Sequence, residues 1–234
     1  MLLAALREEV LEANLELVRK GLVLYTFGNA SGIDREEGLV AIKPSGVPYE
    51  KLKPADLVIT DLDGSIVDGA LRPSSDLPTH VLLYKKFPSI GGVAHTHSEF
   101  ATSWAQAGRP IPCLGTTHAD SFHGPVPVTE HLSDEEVDGD YERNTGAAIC
   151  RAFQNIDPES VPAVLARGHG PFCWGPDATT AAHNAVILEA VARMAFYTVA
   201  LAEECRLLPH ALQDKHFLRK HGSKAYYGQV AGKK

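Results

Sequence analysis

The sequence predicts an α/β protein of the α+β type, with a mainly antiparallel central sheet layered between helices. Two observations carry this. Helical and strand-like segments alternate without the regular strand-helix-strand rhythm of a doubly wound sheet. Short β-branched runs are also joined by tight turns, as across Asp63-Gly64 in DLVITDLDGSIVDG, and such turns suit hairpins rather than crossovers. No internal repeat, low-complexity segment or linker composition divides the chain, so residues 1–234 read as a single domain.

The elements follow in order. Residues 2–20 place Leu3, Leu6, Val10, Leu11 and Leu17 or Val18 at helical spacing, and Gly21 is a C-cap. LVLYTFGNASG, GLVAIKPSG and DLVITDLDGSIVDG read as antiparallel strands. Ser74-Ser75-Asp76 before Pro78 opens a helix over THVLLYKKF, residues 90–97 form a strand, and Ser98 caps a helix over FATSWAQAG. Ser133 with Glu136 has the spacing of a capping box for a helix through 141–153. VPAVLARGHGPFCWG reads as a hairpin, and Asp177 caps a long helix from 178 to about 204. The tail DKHFLRKHGSKAYYGQ, rich in His, Arg and Tyr, is expected to pack against another surface.

Composition narrows the function. The 234 residues are 44% hydrophobic and 22% charged, ordinary for a globular chain with a substantial core. A formal charge of −7 argues against nucleic acid or an anionic membrane as the main partner. The start, MLLAALREEV, lacks a cationic leader, and no run is expected to be long enough to span a bilayer, which predicts a cytoplasmic protein. Cys113, Cys150, Cys173 and Cys205 are scattered without CxxC spacing, so neither a thiolate zinc site nor a disulfide framework is indicated and they read as core thiols.

GGVAHTHSEF places His95 and His97 two residues apart at the end of an apolar run. On a strand, such residues project from one face roughly 6–7 Å apart, a spacing suited to sharing a metal ion. Catalytic zinc takes three or four N/O ligands and keeps a position open. His169, between Gly168 and Gly170, is the third candidate and Asp76 the fourth. Taken alone, His169 also suits an ordinary turn and Asp76 an ordinary helix N-cap.

As a set, SSDLPTH, GGVAHTHS, GTTHAD, HGPFCWG and KHFLRKHGSKAYYGQ resemble the class II sugar-phosphate aldolase/epimerase family, from about Leu6 to Gln229. The resemblance implies that Asp76, His95, His97 and His169 bind a divalent ion, typically Zn2+, with Mn2+ or Co2+ also suited to the donor set. It further implies that an aspartate rather than a glutamate at Asp76 marks the epimerase branch. Asp120 in GTTHAD and Tyr227 in AYYGQ match the family's catalytic pair, the tyrosine coming from a neighbouring subunit of a cyclic homotetramer. Asn29, Lys43, Ser45, Gly46, Ser74 and Ser75 match its phosphate loops, and His216 and Arg219 fit contacts to substrate or phosphate at the interface. Glu142 and Thr116 fall near these motifs without an assigned role.

The implied substrate is a small sugar phosphate. C4 of a ketopentose phosphate carries no acidic hydrogen, since it lies beyond the carbon next to the C2 ketone. Inversion there requires opening C3–C4, turning the released aldehyde and closing the bond again. A divalent cation steadies the negative charge on the three-carbon fragment, and two proton-transfer groups serve the two aldehyde faces. The alternatives are an aldolase of the same fold that cleaves a deoxyketose 1-phosphate, and a noncatalytic interaction module built on it.

Overall fold

A computed structural model describes residues 1–222 and 225–227. The end of the tail motif, Gly228-Gln229, lies outside the described residues. Helix α1 spans Ala4–Arg19 and buries Arg7, Val10, Ala13, Asn14 and Leu17, one stripe at three- and four-residue spacing. Gly21 follows at φ +72°, the left-handed conformation a glycine C-cap supplies.

The next expected strand begins late. Strand β1 is Asn29–Asp34, whereas LVLYTF before it turns through Tyr25 at φ 55°. Leu24, Tyr25 and Phe27 stand out in solvent. The β-branched composition of this run is overridden by tertiary context, because backbone pairing becomes available only at Asn29, which faces His95 in the sheet.

Strands β2 (Leu39–Ile42), β3 (Val58–Asp61) and β4 (Ile66–Asp68) continue as a meander, and the β3–β4 turn runs through Gly64 at φ +86° as the Asp-Gly signal predicts. Helix α2 (Leu77–Lys86) leads to β5, which is shorter than expected at Gly92–His95. Helix α3 (Glu99–Ala107) starts at Ser98, but the Ser98 hydroxyl does not cap it. The Phe100 and Ala101 amides instead donate to the Glu189 carboxylate at 2.8 and 2.9 Å.

Helix α4 (Thr116–Ala119) is a single turn. The Ser133–Glu136 capping box forms, but it starts only the short helix α5 (Asp134–Asp138), which stops at Gly139 before α6 (Tyr141–Ala152) begins anew. Arg151 of α6 reaches back to Glu136 at 2.9 Å and ties the two helices together. Strands β6 (Ala163–Ala166) and β7 (Gly170–Gly175) form the predicted hairpin. Helix α7 (Ala178–Leu201) is capped by Asp177, which accepts from the Thr180 amide at 2.6 Å, and α8 (His210–His221) ends the described elements.

The strands form one antiparallel sheet in the order β4-β3-β2-β1-β5-β7-β6. Alternation along β1 shows the layering. The Ser31 hydroxyl meets His80 and Tyr84 of α2, whereas a Cβ on Gly32 would meet Leu6 and Val10 of α1 and Ala178 of α7. Helices α1 and α7 therefore cover one face and α2 the other, with α6 packed along α2.

One sequence expectation is corrected by α7. It is long and apolar enough to cross a bilayer by length and composition, with a mean hydropathy of 1.4 over its most apolar window. Eight of its 24 residues, from Ala178 to Ala195, are buried, chiefly against α1, α3, β5 and β7, whereas Met194, Phe196, Tyr197 and Leu201 are exposed.

Candidate metal centre

Three elements bring the histidines together. His95 is the last residue of β5, pairs with Phe172 of β7 and is 1% exposed. Its ring stacks on Phe172 at 4.1 Å and 17°, and its Nδ1 lies 2.9 Å from the Pro171 carbonyl. That carbonyl can only accept, so Nδ1 carries the proton and Nε2 is left with its lone pair free. His97 lies in the loop before α3, with its Nε2 3.1 Å from that of His95. His169 sits in the β6–β7 turn, after Gly168 at φ +71°.

One ligand atom from each of His95, His97 and His169 lies within 4.8 Å of the others, close enough to hold a metal ion. Burial and neighbouring imidazoles lower the pKa of His97, and that of His169 to about 4. Both are therefore neutral near pH 7, the form that can donate a lone pair to a cation.

Asp76 stands at the N-terminus of α2 without capping it. Its carboxylate accepts from Asn29 Nδ2 at 2.6 Å. Burial alone would raise its pKa, but His95, His80 and the Asn29 hydrogen bond outweigh burial and keep the carboxyl below its usual range. Asp76 is not a member of the set whose ligand atoms all lie within 4.8 Å. It faces that set electrostatically from the α2 side.

The loops expected to hold phosphate adjoin Asp76. Asn29 Nδ2 also reaches Ser74 Oγ at 3.1 Å, and the Ser74 amide donates to the Lys43 carbonyl at 3.0 Å. Ser45 joins through its amide to the Arg72 carbonyl, and Ser45, Gly46 and Ser75 are exposed. Lys43 is 2% exposed, with its ammonium 3.3 Å from the Pro44 carbonyl and 4.6 Å over the Tyr49 ring. Burial lowers its pKa to about 8. An ammonium has three donors, so Lys43 keeps capacity for an anion.

The remaining site candidates form a second group. Asp120 ends α4 and accepts from Arg219 at 2.8 and 2.9 Å and from His216 at 3.0 Å. Tyr227 lies under the Arg219 guanidinium at 4.6 Å and near the Lys220 ammonium at 4.8 Å. The sequence assigns His216 and Arg219 to substrate, yet within one chain their partner is Asp120. Among the described residues, no hydrogen bond joins this group to the three histidines.

This latch is sensitive to acid. Burial would raise the Asp120 pKa, but its hydrogen bonds from His216 and Arg219 more than offset that and lower it. A carboxylate with a depressed folded pKa contributes stability above its unfolded value, and that contribution disappears as pH falls through the folded value. Lowering pH from about 5 toward 3 is therefore expected to lower the protection factors of the α8 amides, the ratio of intrinsic to observed exchange rate, before those of the sheet. Asp120→Asn should remove that pH dependence, and equal pH dependence in both forms would contradict this account.

Sequence reasoning missed three residues around the histidines. Phe172 supplies the platform for His95, and its position opposite His95 follows only from sheet register. His80, buried between Ser31 and Phe172, is one helical turn after Asp76. Tyr141 lies 3.3 Å from His169 Nδ1, and no local spacing links those residues.

A model of the class II aldolase and adducin N-terminal domain matches residues 8–196, and the chain belongs to that family. Relatives named L-ribulose-5-phosphate 4-epimerase UlaF, from Salmonella paratyphi B and Salmonella typhi, are each 54% identical to it over 224 residues, covering 96% of this chain and 98% of theirs. A solved structure named L-fuculose 1-phosphate aldolase is 25% identical with a TM-score of 0.79, covering 91% of this chain and 94% of its own. An L-fuculose 1-phosphate aldolase from Glaciozyma antarctica PI12 shares the fold at 18% identity and a TM-score of 0.74, covering 92% and 80%.

Proposed function

We propose that the chain is a metal-dependent L-ribulose-5-phosphate 4-epimerase, interconverting L-ribulose 5-phosphate and D-xylulose 5-phosphate. It works as a single domain and as a cytoplasmic homotetramer with active sites between subunits. The observation that carries this reading is 54% identity to epimerases so named over nearly the whole of both chains. Apolar side chains left in solvent at Leu24, Tyr25, Met194, Phe196 and Leu201 support assembly with further copies.

The donor set fits a divalent ion. Three imidazoles from β5, the following loop and the β6–β7 turn converge, and Asp76, whose carboxylate accepts from Asn29, would complete the set. Three nitrogens and one oxygen suit Zn2+ first, with Mn2+ or Co2+ as alternatives. When bound, the ion supplies Lewis-acid stabilisation of the negative charge that develops at C2 and C3 as the C3–C4 bond opens.

The chain's own groups do the rest. Lys43, Ser45, Gly46, Ser74, Ser75 and Asn29 grip the phosphate at one end of the sugar. That grip keeps the two-carbon aldehyde in the site while it turns. Asp120 and Tyr227, the tyrosine coming from a neighbouring subunit, hold or release the proton on the C4 oxygen, one on each face of the aldehyde. His216 and Arg219 position Asp120, which accepts hydrogen bonds from both.

Incubating the purified protein with L-ribulose 5-phosphate should yield D-xylulose 5-phosphate, with loss of activity on chelation and recovery with Zn2+. Activity unaffected by a chelator that removes all bound metal would defeat the reading. The similarity to an L-fuculose 1-phosphate aldolase favours a second reading, an aldolase acting on a deoxyketose 1-phosphate. Net release of an aldehyde without a ketose phosphate epimer would select it.

Tyr227→Phe should keep the metal and lower kcat by about 100-fold, the usual scale of a lost proton-transfer group. Full turnover in that variant would remove Tyr227 from the mechanism.

A further inference from the structure

Tyr141 has no part in the roles described so far. It opens α6 and is 36% exposed, and its hydroxyl oxygen lies 3.3 Å from His169 Nδ1. The tyrosine ring lies beside the imidazole, 6.2 Å away between centroids and tilted by 34°. Together with His131, Arg167, Gly168 and His169, Tyr141 lines a cavity of about 260 Å3.

His169 needs something to hold its ring. His95 is fixed twice, by the Pro171 carbonyl at Nδ1 and by the face of Phe172. His169 stands in a turn, with its main-chain amide bonded to the Ala166 carbonyl and its ring edge-on to Phe172 at 6.1 Å. An imidazole that binds a metal through Nε2 carries its proton on Nδ1. An acceptor there fixes the tautomer, aims the ring and makes the nitrogen a better donor.

We propose that Tyr141 is a positioning residue of the metal centre, its hydroxyl oxygen accepting the Nδ1 proton of His169 so that Nε2 faces His95 and His97. The Tyr141 oxygen thus does for His169 what the Pro171 carbonyl does for His95. The two acceptors differ in origin, because one belongs to the sheet backbone and the other to a side chain on a separate helix. The inference rests on the metal-dependent reading above.

The test compares the native chain with Tyr141→Phe, which deletes only the oxygen. Both are stripped of metal and titrated with Zn2+ against a chromophoric chelator, and the melting temperature of each metal-free form is recorded. Affinity in the variant should fall roughly 10- to 100-fold, the range for lost partners of metal ligands, with the metal-free melting temperature unchanged. Equal affinity in the two proteins overturns the proposal.

A second measurement needs no variant. In the zinc-loaded native protein, nitrogen-15 NMR should show His169 protonated at Nδ1 and coordinated through Nε2, and coordination through Nδ1 overturns the proposal. Failure of the native chain to bind Zn2+, Mn2+ or Co2+ brings down the metal reading and this inference together. Equal affinity in native and variant proteins brings down the inference alone.

Discussion

Replacing His97 with asparagine is expected to lower affinity for the divalent ion by at least about 100-fold, because losing a ligand should exceed the 10- to 100-fold cost of losing a ligand's partner. His97 is the one histidine of the three carried by the loop between β5 and α3. Its Nε2 lies 3.1 Å from that of His95. An asparagine amide is shorter and presents a weaker donor, so the two remaining imidazoles hold the cation less tightly. Metal content of the purified variant and a chelator competition measure the effect. Unchanged stoichiometry and affinity would remove His97 from the ligand set. Epimerase activity should fall in parallel and recover only in part at millimolar Zn2+.

Gly92→Ala should produce a large loss of stability. A Cβ on Gly92 would lie 2.3 Å from the Asp177 carbonyl oxygen and 2.4 Å from the Ala178 backbone. Those neighbours are main-chain atoms at the start of α7, so no rotamer change makes room. Inserting a methyl group into packed surroundings typically costs 1–3 kcal/mol. Here β5 must separate from α7, and about 4 kcal/mol or more is expected, in the range reserved for severe core lesions.

Gly46→Ala is the control. Gly46 has open space around it, and its only obstacle is φ +69°, worth about 1–2 kcal/mol for an alanine. Urea denaturation of the two variants separates steric contact from backbone strain, and a Gly92→Ala loss no larger than that of Gly46→Ala would show that the seam can yield. Since β5 ends in His95, the Gly92 variant should also bind the ion more weakly.

Much of this was legible in the chain because the signals were local. The first helix, the Asp63-Gly64 hairpin, the GHG turn and the Asp177 cap each depend on residues a few positions apart, and each appears where the pattern places it. The late start of β1 was not legible. LVLYTF has strand composition but no partner until Asn29 meets β5. Ser98 was misread for a similar reason, since the group that satisfies the α3 amides is Glu189, nearly ninety residues away.

The site divides in the same way. His95 and His97 are linked by spacing, whereas joining His169 to them depends on the β5–β7 pairing. Asp76 meets Asn29 only because α2 packs against β1. Asp120, His216 and Arg219 lie about a hundred residues apart in sequence, and no pattern in either segment indicates that they form one cluster.

The segment from Gly92 to Ala101 carries two of the imidazoles and is pinned at both ends to α7, by the glycine seam at its start and by Glu189 at its finish. It behaves like a short bridge with both abutments on one pier. Held at both ends in this way, the stretch bearing His95 and His97 is expected to keep its shape with or without an ion, so that metal removal should leave its amides as slow to exchange as before.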